Sequence, residues 1–155
     1  MYHHTQRNTA AFLLLNLAAL LPIGLFLSGV LPPGDVGARI TVLVAAVVMM
    51  VSAFAFSSLT IAVGDGQLSW WFGPGIVKKT VPLSTIASAE PTTTSIVNGW
   101  GIHPTGRGWL YNVAGREAVL ITQEDGKSFL LGTDEPDSLA QVVMAGARTG
   151  RRGSW

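Results

Sequence analysis

The chain has 155 residues, no cysteine, 48% apolar residues and a formal net charge of +1 from 10 Lys+Arg against 9 Asp+Glu. Only 12% of it is charged, about half the share of an ordinary globular domain. That composition excludes a disordered chain, a disulfide scaffold, thiolate catalysis and a polybasic nucleic-acid binder.

The charge deficit is local. Between Asn8 and Gly64 the only charged residues are Asp35 and Arg39. After an N-terminal flank, residues 1–9, the stretch 10–31 reads as a first membrane span. As a helix it would extend roughly 33 Å, against a hydrocarbon core of about 30 Å. Residues 40–58 read as a second span, in which each Leu, Ile, Phe or Val favours insertion by roughly 0.3–0.6 kcal/mol with no charge opposing it. A cleaved signal peptide fits less well. The first apolar run outlasts the usual core of about 7–15 residues, and Ser28-Gly29-Val30 before Pro32-Pro33 is not an Ala-x-Ala-like cleavage site. A buried-core reading fails too, because the rest of the chain is too short to wrap two helices that are apolar all round.

The connector, residues 32–39, holds Pro32, Pro33, Gly34 and Gly37. Such breakers predict a tight helical hairpin with both termini on one side. Arg7, Lys78 and Lys79 against Arg39 favour the cytoplasmic side. Asn16 is a candidate for interhelical hydrogen bonding, worth about 0.6–2 kcal/mol, and Gly24 with Ser28 forms a small-xxx-small packing pair.

Alternation with period 2 begins where the second span stops. With Asp65-Gly66 at the centre of a turn, Val63 faces Leu68, Ile61 faces Trp70 and Leu59 faces Phe72, so register and turn chemistry agree. The same pattern recurs around Asp125-Gly126, joining strands at 118–123 and 128–131 with Glu124 opposite Lys127. Weaker strands are predicted at 78–83, 86–93 and 109–113, which makes about seven short antiparallel strands. A helix then follows the capping run Gly132-Thr133-Asp134-Glu135-Pro136. Its apolar stripe is Leu139, Val142, Val143 and Ala147, and Gly146 and Gly150 weaken its end. Residues 59–148 thus read as a β-sandwich or partly open barrel plugged by a C-terminal helix, followed by a basic tail, residues 149–155.

Gly99-Trp100-Gly101-Ile102, then Gly108-Trp109-Leu110-Tyr111-Asn112-Val113-Ala114-Gly115, then Gly132-Thr133-Asp134-Glu135-Pro136, together resemble the bacterial pleckstrin-homology (PH)-like membrane proteins. Phe72-Gly73-Pro74-Gly75 and Val81-Pro82-Leu83 are similar to that family as well. The resemblance implies a two-helix transmembrane hairpin followed by a mainly β PH-like domain with a C-terminal capping helix, cytoplasmic and without enzymatic activity. Phosphoinositide-binding PH domains carry cations at the first hairpin loop. Here that loop is Gly64-Asp65-Gly66-Gln67, so specific phosphoinositide binding is not expected.

Candidate chemistry is sparse. The glycines at 99, 101, 106 and 108 lead into a strand, whereas phosphate cradles feed a helix N-terminus; a conformational role fits better. His103 has no nucleophile elbow near it in sequence, and no metal or cofactor motif is present. Trp100, Ile102 and Trp109 are candidates for contact with a membrane or partner, as are Lys78 and Lys79, each cation being worth about 1 kcal/mol at an anionic surface. These readings converge on a non-catalytic integral membrane protein whose PH-like domain serves as an adaptor or assembly module at the cytoplasmic face of the cell membrane. Its partners would be the lipid bilayer and membrane-proximal proteins or its own copies, with no nucleic acid and no cofactor. The alternative is an accessory subunit of a membrane transport or export complex. A lipid-modifying or proteolytic enzyme finds less support.

Overall fold

The computed structural model describes residues 1–95 and 101–152. They divide into two units, Asn8–Ser57 and a β-rich unit made of Met1–Arg7 together with the chain from Ser58 onward.

Asn8–Ser57 contains α1 (Thr9–Leu27) and α2 (Val36–Ala55). Each starts on a side-chain cap: Asn8 Oδ1 accepts from Ala11 N at 2.8 Å, and Asp35 Oδ1 accepts from Ala38 N at 2.9 Å. Such caps satisfy backbone donors that the first helical turn leaves open. α1 stops where Gly29 turns left-handed at φ +73° after the C-cap Ser28, an ordinary helix ending. Pro22 lies inside α1. Both helices are long and apolar enough to cross a membrane, with mean hydropathies of 2.3 and 2.2. Their most apolar windows are only 6% and 17% buried, so the greasy surface faces outward rather than into a core. Ala19 and Ala46 are the buried points midway along α1 and α2, small residues of the kind that let helix backbones approach.

The β-rich unit holds nine strands among the described residues: β1 (Tyr2–Arg7), β2 (Ser58–Gly64), β3 (Gln67–Phe72), β4 (Val77–Pro82), β5 (Ile86–Thr93), β6 (Gly101–Thr105), β7 (Gly108–Asn112), β8 (Glu117–Gln123) and β9 (Ser128–Gly132). A short 3-10 turn, Leu83–Thr85, precedes β5, and α3 (Pro136–Arg152) closes the unit. The first four strands form an antiparallel sheet in the order β1-β2-β3-β4; the others form a second sheet in the order β5-β8-β9-β7-β6. All pairings are antiparallel except β7 with β9, which run parallel.

The first hairpin has the register its alternation predicts, with Leu59 opposite Phe72, Ile61 opposite Trp70 and Val63 opposite Leu68. Its turn places Asp65 at φ +51° and Gly66 at φ +71°, the mirror-image turn whose twist suits two strands. The second hairpin differs from expectation. Gln123 N donates to Lys127 O at 2.8 Å, so the loop is Glu124-Asp125-Gly126, with Gly126 at φ +83°. One extra loop residue moves Lys127 onto Asp125 (Nζ to Oδ2 2.7 Å) rather than opposite Glu124. That contact holds the Asp125 carboxyl below its usual range.

Two strands lie where none was anticipated. The flank Tyr2–Arg7 pairs with β2 along its whole length, Tyr2 opposite Val63 through Arg7 opposite Ser58. Gly101–Thr105, read as part of a glycine loop, is a strand paired with β7. Gly108 permits the close approach of β9 to the start of β7. Its φ is +113°, and a Cβ there would lie 2.0 Å from the Ser128 carbonyl oxygen, so only glycine admits β9 so close.

The core gathers residues from both sheets and α3, among them Leu59, Ile61, Trp70, Phe72, Val119, Ile121, Leu131, Leu139 and Val143. Trp70 joins the layers: its ring stacks on Phe129 at 4.9 Å between centroids and meets Tyr111 edge-on at 5.3 Å. Leu110, Leu130 and Ala118 alternate to the other face of the second sheet and are buried too. Arg107, on the β6–β7 turn, donates to Thr92 Oγ1 (2.9 Å) and Thr93 O (3.2 Å) in β5. β5 and β6 are the opposite edges of that sheet, some four spacings of about 4.8 Å apart if flat. The bond requires the sheet to curl.

Candidate functional site

The outward face of the first sheet follows from its register. His3, Thr5 and Arg7 of β1 share it with Ser58, Thr60 and Ala62, with Ser69 and Trp71, and with Lys78 and Thr80. Hydroxyls pair across it: Thr5 with Thr60 at 2.9 Å and Ser69 with Thr80 at 3.0 Å. Trp71 sits between His3, 5.9 Å away between ring centroids, and the Lys78 ammonium, 5.6 Å from its ring centre. No acidic residue stands on this face among those strands. It is a basic and hydroxylated surface with one half-buried indole.

Lys78 and Lys79 therefore part company. Successive strand residues point to opposite faces. Lys79 turns to the rim of the core, its ammonium 5.5 Å from the Tyr111 ring centre. An inward-turned lysine on the edge strand β4 also discourages edge-to-edge pairing. Ile102 packs against the core, while Trp109 is 51% exposed. Trp100 lies outside the described residues. His103 Nε2 is buried without a hydrogen-bond partner among the described residues. The acidic turn at Asp65 occupies the end of the first sheet opposite the Arg7–Ser58 pair, away from the points where the chain enters the helices.

Within the helical unit, Asn16 Nδ2 donates to Phe12 O of its own helix at 2.7 Å. Asn16 also lines a shallow groove with Leu13, Leu17, Leu20, Ile23 and Met50. A Cβ at Gly24 would meet nothing within 4 Å. Ser28 Oγ donates to Leu25 O at 2.8 Å and accepts from Val30 N at 3.3 Å.

A second polar cluster gave no sequence signal, because its members are 130 residues apart in the chain. His4 Nε2 meets Asp134 Oδ1 at 2.5 Å, its Nδ1 lies 3.6 Å from Glu135 Oε2, and the Tyr2 hydroxyl donates to Glu135 Oε2 at 3.2 Å. Thr133 Oγ1 accepts from Glu135 N at 3.1 Å. The inner face of β1 is thus fastened to the entry of α3. Burial, the Glu135 charge and the bond to it push the Tyr2 hydroxyl up to about 12. Among the described residues no group of three or more His, Cys, Asp or Glu is placed to hold a metal ion.

Comparison with family models, with curated proteins and with solved structures finds no match to this chain.

Proposed function

We propose that the chain is an integral membrane protein of two spans that presents a PH-like domain at the cytoplasmic surface, acting without catalysis as an adaptor or assembly module. The observation that carries this reading is the exposure of α1 and α2. Helices of mean hydropathy above 2 that bury 6% and 17% of their apolar windows need another apolar medium around them. The β-rich unit supports the rest, with its two sheets, closing helix and basic outer face. The chain passes from Arg7 of β1 to α1, and from α2 back to Ser58 of β2, with no spacer beyond Asn8 and residues 56–57. A short tether of two strands suits a module whose partners are at the membrane.

The test is extraction of the full-length protein from native membranes. It should stay with vesicles through alkaline carbonate and leave only with detergent; release by carbonate overturns the reading. Reporters at either terminus should both respond on the cytoplasmic side.

A further inference from the structure

The sheet registers single out one end of the β-rich unit. The chain leaves for α1 after Arg7 and returns from α2 at Ser58, and those two residues are register partners. Gly73 N donates to Ser58 O at 2.9 Å, so the β3–β4 turn, Gly73-Pro74-Gly75-Ile76, belongs to the same end of the sheet. Trp71 stands opposite Thr60 and Lys78 opposite Trp71, one row further in on the outward face. Ile76, at the tip, is 59% exposed.

We infer that this end of the first sheet is a lipid-contact site: Ile76 enters the headgroup layer while Lys78 and Arg7 bind phosphates of anionic lipids, with Trp71 at the boundary. The inference rests on the two-span reading and adds the part of the β-rich unit that meets the bilayer. Three independent features converge on that occupant. Along the chain, the covalent exits put this end of the sheet one residue from α1 and two from α2. The face carries Arg7, Lys78 and His3 and no carboxylate, which is complementary to anionic headgroups. An aliphatic tip, an indole and cations in succession match the layering of a membrane interface, with apolar groups deepest and aromatic and cationic groups at the headgroups. The acidic Asp65 turn, at the far end of the same strands, is not part of the site.

The native chain lacks cysteine, so single-cysteine variants of the full-length protein report one position each. Ile76→Cys, Gln67→Cys at the far end and Leu20→Cys in α1 would carry a nitroxide in nanodiscs of phosphatidylcholine with and without phosphatidylglycerol. Collisions with oxygen and with a polar nickel chelate read depth. The label at 76 should be more oxygen-accessible and less nickel-accessible than that at 67, and should shift deeper when phosphatidylglycerol is present. Lys78→Gln with Arg7→Gln should abolish the lipid-dependent shift. A label at 76 as nickel-accessible as that at 67 in both discs, with the label at 20 in hydrocarbon, overturns the site but leaves the spans intact. A water-exposed label at 20 overturns the two-span reading and this inference with it. A shift reproduced by inorganic phosphate in neutral discs overturns the assignment to lipid.

Discussion

Gly146 and Gly150 lie one turn apart on α3, and the sequence reads both as helix weakeners. Their surroundings separate them. A Cβ at 146 would lie 2.6 Å from Leu83 Cδ1, whereas at 150 the nearest atom is Ser84 N at 3.6 Å. Leu83 is 2% exposed and has little room to move. Gly146→Ala should therefore destabilise the β-rich unit by about 1–2 kcal/mol through overpacking. Gly150→Ala should stabilise it by about 0.5–1 kcal/mol through helix propensity and a less flexible unfolded chain. Denaturant unfolding of the detergent-solubilised protein, followed by tryptophan fluorescence, reads both. Tyr2 gives a test in pH. Its hydroxyl is raised to about 12 from an ordinary value of about 10, so the folded state holds that proton longer than the unfolded one. The stability this contributes is fully present below about pH 10 and is lost as pH rises towards 12. Tyr2→Phe should flatten that alkaline slope in thermal melts and lower stability at neutral pH by about 0.5–1.5 kcal/mol, the worth of the lost hydrogen bond to Glu135. At this scale the sequence was least informative. It showed that Lys78 and Lys79 were available as cations, but only pairing could show that they serve opposite faces.

Among the elements, legibility followed the apolar pattern. β2, β3 and α3 announce themselves because their buried positions are Leu, Ile, Val, Trp and Phe at fixed spacing. β1 alternates just as strictly, with Tyr2, His4 and Gln6 inward, but meets Asp134 and Glu135 at α3 as well as the core, so its inward residues are polar and read as an unstructured flank. β6 was hidden by the glycines around it and by Pro104. Leu139, fully buried at the start of α3, is a plain test of the expected stripe: Leu139→Ala should cost about 2–5 kcal/mol of stability. β1 calls for a test of pairing. A proline at position 4 removes a backbone donor, along with the contact to Asp134. His4→Pro should speed amide exchange along Leu59–Val63, and unchanged protection there would show that β1 adds nothing to the sheet.

At the level of the whole molecule, the division into a greasy third and a β-rich remainder was legible from the charge distribution alone, because burying or exposing so many uncharged residues admits few solutions. The route of the chain between the two was not. The helical pair is inserted between two neighbouring strands of one sheet, so both strands must end on the same side of any membrane the helices cross. N- and C-terminal reporters should therefore agree for every molecule whose β-rich unit is folded. A population with opposed reporters should lack native tryptophan fluorescence.

That insertion sets an order of events during synthesis. β1 emerges first but finds its neighbour only after both helices have been made, a wait of roughly 3–10 s at typical elongation rates. In the two-span reading proposed above, a nascent chain whose second helix fails to turn back leaves β1 across the lipid from β2, and their pairing cannot form. On that reading, a closed β layer therefore distinguishes correctly threaded copies from misthreaded ones.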